Sequence, residues 1–172
     1  KDKSMYFLLG DAGTVTALEY NPEEADKIDL CYMTDGSGRK HVIVPDGGSR
    51  NRFSAKSLEL EDVGDGNFRT RLDEKMDGVE VFASAITGIP KLYKQLQETF
   101  QIDNEKMDYC LIHQASKVLF EKSRKKMKFP EEKAPMNLRD FGNTSGSTIP
   151  LLMVCKLKEE LESRPLEMVM AA

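Results

Sequence analysis

Seven apolar residues, Val79, Phe82, Ile86, Ile89, Tyr93, Leu96 and Phe100, step along the chain by three and four in strict alternation. That spacing draws one continuous stripe down a helix of about six turns, and a stripe of this length must be covered by other parts of the fold. Gly88 and Pro90 fall inside it, so a kink is expected there. Directly after it, Met107-Asp108-Tyr109-Cys110-Leu111-Ile112 is short and mostly apolar, which suits a buried strand. A long amphipathic helix followed by a buried strand points to an α/β architecture.

The flanking segments extend this pattern. Residues 5–20 hold two β-rich runs around Gly10-Asp11-Ala12-Gly13, the signal of a hairpin. Strands are also expected over Ile28–Thr34 and His41–Val44, each stopped by a glycine-rich turn. Residues 45–75 are polar and irregular and read as a long surface loop with short strand pieces. A helix is expected over about 115–128. Ile149, Met153, Leu157 and Leu161 recur every four residues and predict a third helix from near Ser145 or Gly146, with Pro150 in its early turns. Leu166–Met170 closes the series as a strand. The reading is one domain over residues 1–172, with a mixed sheet and helices on both of its faces.

Composition narrows the function. The chain has 172 residues, is 40% hydrophobic and carries a net charge of −4. A core is affordable, and a general nucleic-acid binder is not expected. The longest apolar run, Ile149 to Cys155, is far too short to span a membrane. Three scattered cysteines and the lack of a signal peptide point to a reducing, cytoplasmic setting. The first residue is Lys1 rather than methionine, which fits a piece of a longer chain. There is no P-loop, no His-Glu-x-x-His, no Cys-x-x-Cys and no Gly-x-Ser-x-Gly elbow, and with only His41 and His113 present no metal site is expected.

Two local features remain. His113 stands where a strand ends and a helix begins, and ligands of α/β folds bind beyond the carboxyl ends of strands. Thirty residues on, Phe141-Gly142-Asn143-Thr144-Ser145-Gly146-Ser147-Thr148-Ile149-Pro150 opens into a helix. Small residues let a backbone or ligand approach closely, and Asn143 could offer an amide N–H to the same crevice. Taken singly, each feature also fits a plain structural histidine and an ordinary helix cap.

Taken together they are recognisable. His113-Gln114-Ala115 at a strand end, followed by Gly142-Asn143-Thr144-Ser145 and Ile149-Pro150-Leu151, resembles the C-terminal half of β-ketoacyl-acyl-carrier-protein synthase III. These are the initiating condensing enzymes of bacterial fatty-acid synthesis, in the thiolase superfamily. Leu8-Leu9-Gly10-Asp11-Ala12-Gly13 is similar to the family's Gly-Asp-Gly-Ala hairpin. Pro45-Asp46-Gly47-Gly48-Ser49-Arg50 is similar to its Gly-Gly-Ser-Arg loop, and Met76-Asp77-Gly78-Val79-Glu80-Val81-Phe82 to a helix start. The resemblance runs from about residue 5 to the end of the chain. It implies one half of a thiolase-like fold and a Cys-His-Asn triad in which His113 and Asn143 are the two catalytic residues supplied here. Both would donate hydrogen bonds to the enolate left when malonyl-carrier protein loses CO₂. No cofactor is implied; a coenzyme A thioester enters as substrate.

The nucleophilic cysteine is expected outside this chain. Cys31 and Cys110 lie in expected strands and Cys155 in mid-helix, none at the helix N-terminus that would lower a thiol's pKa. By position the resemblance also assigns carrier-protein or CoA contacts to Ser116, Lys117, Arg124, Lys125 and Lys126. The family usually has Asn where Ser116 stands, often Arg at Val118 and often Lys at Ala83. The helix after His113 is basic, with Lys117, Lys122, Arg124, Lys125, Lys126 and Lys128 against Glu121 alone. Such a patch would steer acidic carrier protein or CoA phosphates, and equally fits a solvated face. A homodimer, acyl carrier protein and acyl-CoA are the expected partners. Other readings are a related superfamily synthase with another acceptor, of alkylquinolone or polyene type, or a non-catalytic half that only binds carrier protein.

Overall fold

The computed structural model describes residues 3–20, 22, 23 and 28–172. The chain divides into two compact units, one of Lys1–Leu8 with Thr34–Ala85 and the other of Leu9–Met33 with Ile86–Ala172. One domain is what length alone suggests; the boundary at Ala85 and Ile86 falls inside the long helix.

The first unit holds a one-turn helix α1 (Lys3–Tyr6) and four two-residue strands, β1 (Val42–Ile43), β2 (Glu61–Asp62), β3 (Phe68–Arg69) and β4 (Lys75–Met76). They form two antiparallel pairs, β1 with β4 and β2 with β3. The irregular stretch over 45–75 is therefore as the sequence predicts. Asp46 organises it. Its carboxylate accepts from Arg71 Nε at 2.9 Å and Nη2 at 3.0 Å and from the hydroxyl of fully buried Ser57 at 2.8 Å. These donors hold the Asp46 carboxyl below its ordinary pKa, the Arg71 bond contributing most.

The long helix α2 (Gly78–Phe100) forms where the apolar stripe predicts it. Asp77 starts it, accepting the Glu80 N–H at 3.1 Å. It ends with Gln101 in the left-handed region at φ 54° and Ile102 N–H reaching back to Gln97 O at 3.2 Å, a Schellman-type closure.

The second unit carries the core. Its further elements are β5 (Tyr109–Leu111), α3 (Lys117–Lys126), a one-turn α4 (Leu138–Phe141), α5 (Thr148–Lys156), α6 (Lys158–Ser163) and β6 (Val169–Ala171). β5 and β6 run parallel. Side chains of β5 alternate between two clusters. Cys110, and beyond the strand Ile112, pack with Tyr93 of α2, Phe120 of α3 and Met127, Phe129 and Met170. Leu111 packs on the other side with Leu152 and Leu157, and Tyr109 joins that group. The parallel pair thus has helices on both faces, and the class is α/β.

Three expectations are corrected. Residues 5–20 do not form a hairpin: α1 occupies the start, and Leu9 makes a single parallel bridge to Asn143, after which 10–20 are irregular. Described residues 28–34 form no strand. The third helix is broken, with a 3₁₀ turn at Ser145–Ser147, then α5, then α6 restarting at Lys158 beyond buried Leu157. The described strands are correspondingly three two-stranded pieces.

Candidate functional site

β5 delivers His113. Pairing with the last residue continues past the strand: Ala172 N–H donates to Leu111 O at 2.9 Å, and His113 N–H donates to Ala172 O. Sheet pairing therefore continues to His113, and strand alternation assigns its side chain to the same side as Leu111. His113 is half-buried, and that burial pushes its imidazole below the ordinary pKa. A neutral ring near pH 7 offers one N–H donor without carrying a charge. Its ring makes no hydrogen bond among the described residues.

Asn143 arrives from the other side of the sequence. α4 ends at Gly142, whose φ of 68° and ψ of −162° are open to glycine alone. That turn sends Asn143 alongside Leu9 and Gly10, and Gly10 N–H donates to Asn143 O at 2.8 Å. Gly10 is obligatory for the contact, since a Cβ there would stand 1.9 Å from Phe141 O. Further along, Ser147 Oγ donates to Ala12 O at 3.2 Å and accepts from Thr14 Oγ1 at 3.3 Å. The segment expected to be a hairpin instead lies along the Asn143 loop. The Asn143 side chain is oriented by its own turn: Oδ1 accepts from Ser145 N–H at 3.0 Å, which leaves the amide NH₂ as the group it can offer. Ser145 has φ 51°, and buried Thr148 donates to Ser145 O at 2.7 Å, locking the start of α5.

Gln114, which the sequence marks only as the middle of a motif, ties the two segments together. Its side chain is fully buried, accepts from Asn137 N–H at 3.0 Å and donates to Pro135 O at 3.3 Å. Both partners lie more than twenty residues away, so no local pattern marks it.

The positions assigned to carrier protein or CoA separate. Ser116 caps α3, its hydroxyl accepting from Leu119 N–H at 3.3 Å. Lys117 and Lys125 are exposed. Arg124 is a correction: only 8% exposed, it donates to Phe129 O at 2.8 Å and pairs with Glu121 at 2.9 Å, so it is an interior brace rather than a surface contact. Lys126 reaches Ile86 O in α2 at 3.0 Å. The helix bond to that carbonyl would come from residue 90, and Pro90 has no N–H to give.

The cysteines divide: Cys31 is half-buried and lies in no strand, Cys155 is exposed near the end of α5, and Cys110 alone is the core strand residue expected. Cys110 is fully buried and its thiol is pushed up to about 12 by desolvation, an inert core residue. Among the described residues no group of three or more His, Cys, Asp or Glu is placed to hold a metal. Among the described residues no helix is long and apolar enough to cross a membrane.

With this geometry in place, the comparisons with known proteins are informative. Residues 96–172 match the family described as 3-oxoacyl-[acyl-carrier-protein] synthase III C terminal. The chain is 30% identical over 152 residues to beta-ketoacyl-[acyl-carrier-protein] synthase III of Prochlorococcus marinus, covering 88% of this chain and 43% of that protein. It is 32% identical over 155 residues to the synthase of Streptococcus agalactiae, with the same coverage. Among solved structures, a 3-oxoacyl-(acyl-carrier-protein) synthase III superposes with a TM-score of 0.72 at 30% identity, covering 86% of this chain and 45% of that one. The chain therefore spans less than half the length of the relatives it matches. It corresponds to the C-terminal half of a protein of the β-ketoacyl-acyl-carrier-protein synthase III type.

Proposed function

We propose that the whole protein containing this chain condenses an acyl thioester with malonyl-acyl carrier protein, releasing CO₂ and forming a 3-oxoacyl thioester. The observation that carries this is that one unit of the chain holds both a half-buried His113, whose imidazole pKa is pushed down by desolvation, and an Asn143 whose Oδ1 is engaged by its own turn. Each then has an N–H to offer, the ring N–H of His113 and the amide NH₂ of Asn143. In the reaction the malonyl C–C bond breaks, CO₂ leaves, and the electron pair moves onto the thioester oxygen. Two N–H groups aimed at that oxygen stabilise the enolate, which exists only after CO₂ has left. The enolate carbon then attacks the carbonyl carbon of the acyl group held on a thiol supplied by the rest of the protein; the new C–C bond forms as the acyl C–S bond breaks, and that thiol leaves as thiolate. No cofactor takes part, and acyl-CoA is the acyl donor. The exposed Lys125, with Lys117 nearer the start of α3, offers positive charge for acidic carrier protein. The names of the relatives, synthases acting with acyl carrier protein, support the same chemistry.

The test uses the full-length protein. His113→Ala and Asn143→Ala should each lower malonyl decarboxylation on the order of 10²-fold while acyl transfer to the enzyme thiol is largely kept. Condensation at the wild-type rate by either variant would exclude the assignment.

A further inference from the structure

We propose that Gln114 is a positioning residue that fixes the spacing between the two enolate donors. The inference rests on the function proposed above. Gln114 follows His113 directly, so its backbone is set by the same strand end. Its side chain, 0% exposed, spends both ends of its amide on one loop: Oε1 accepts from Asn137 N–H at 3.0 Å, and Nε2 donates to Pro135 O at 3.3 Å. From Asn137 onward the chain has little freedom. Asp140 N–H donates to Asn137 O at 3.0 Å, Phe141 N–H to the same oxygen at 3.3 Å, and Gly142 N–H to Leu138 O at 2.8 Å. Asn143 comes next. One rigid helical turn thus separates the atom that Gln114 holds from the second donor. Asn137 itself is buried, and its Nδ2 has no partner, so no other polar side-chain bond from Asn137 Nδ2 substitutes for the Gln114 anchor. A buried amide satisfied only by backbone of one distant loop fixes the distance between segments more sharply than apolar packing, which tolerates sliding. A displacement near 1 Å is enough to cost about 10²-fold when two groups must meet one reacting oxygen.

The experiment compares the two half-reactions in full-length protein. Gln114→Met keeps length and approximate volume and removes both hydrogen bonds. The expected result is a fall in kcat for malonyl decarboxylation on the order of 10- to 10²-fold, with KM for malonyl-carrier protein and the rate of thiol acylation within about twofold of wild type. Gln114→Glu, buried and hence protonated, retains an acceptor and a donor and should recover much of the loss. A Met variant that decarboxylates within about twofold of wild type overturns the inference, as does an equal loss in both half-reactions. If the Met variant does not fold, Gln114→Asn decides, its amide one methylene too short to reach both backbone partners: a loss confined to decarboxylation supports the assignment, and no loss or a loss shared with acylation refutes it. Wild-type protein that acylates its thiol but does not decarboxylate malonyl-carrier protein refutes the proposed function itself, a distinct outcome.

Discussion

Gly10→Ala tests whether the segment after Leu9 is a fixed part of the Asn143 loop. The glycine is not required by its dihedral angles, since Gly10 is absent from the positive-φ positions. What requires it is space. A Cβ would lie 1.9 Å from Phe141 O and 3.1 Å from Phe141 C, both backbone atoms of a turn that Gly142 holds in a glycine-only conformation. Two responses are open. If the segment stays, the overpacking costs about 1–3 kcal/mol. If it lifts away, it loses the Gly10–Asn143 bond at 2.8 Å and the two Ser147 contacts with Ala12 and Thr14, at roughly 1 kcal/mol for the first and less for the exposed pair. Alanine lowers the entropy of the unfolded chain, which offsets about 0.4–1 kcal/mol. The net expectation is a loss of about 1–2 kcal/mol. Gly13→Ala is the internal control, because a Cβ there meets nothing within 4 Å. It receives the entropic gain without the clash. Urea unfolding of the two variants should show Gly10→Ala with the lower midpoint and an unchanged slope. Equal midpoints would mean that the Gly10 segment does not bear on Asn143 at all.

Lys126→Met should cost about 0.5–1 kcal/mol in the natural background and nearly nothing beside Pro90→Ala, which restores an N–H for the Ile86 carbonyl; a double-mutant cycle with no coupling refutes that link. Lys125→Glu should raise KM for carrier protein at low salt, with the effect fading as salt screens it. Arg124→Met should instead lower the unfolding midpoint and leave that KM alone, because its guanidinium braces Phe129 and Glu121 inside the unit; a KM change from Arg124→Met alone would reverse this division. His113 contributes to pH dependence with a definite sign. Burial lowers its folded-state pKa, so near pH 6 the unfolded chain binds the extra proton more readily, and stability rises with pH up to the ordinary histidine value of about 6.5. His113→Gln should flatten that limb of the stability profile, and an unchanged limb would place the titration elsewhere.

Legibility in the sequence followed covering surface. α2, β5 and α3 are readable because each has its apolar face paid out against neighbours within the chain: Tyr93, Cys110, Ile112 and Phe120 meet in one cluster. The β-rich runs over residues 5–20 are just as clear, yet Val15, Leu18 and Tyr20 are among the most exposed apolar residues. Such residue types state what could be buried in a strand and are silent on whether another strand lies beside it. The four-residue spacing from Ile149 to Leu161 runs through a real break because Leu157 is buried at the junction, with Leu152 in the same cluster, so the apolar stripe continues where the backbone does not. Charge was read least well. Arg124 and Lys125 are adjacent in a basic run, but Arg124 lies on the same helix face as Phe120 and is drawn inward to the Phe129 carbonyl, while Lys125 faces water. The proposed donors His113 and Asn143 stood out because strand ends and small-residue turns leave a local signature. Gln114 did not, because what gives it meaning is a backbone 21 and 23 positions away at Pro135 and Asn137, and no local pattern records that. The chemistry of such a site is thus written where the chain turns, and its spacing is written in long-range bonds between a side chain and a distant backbone.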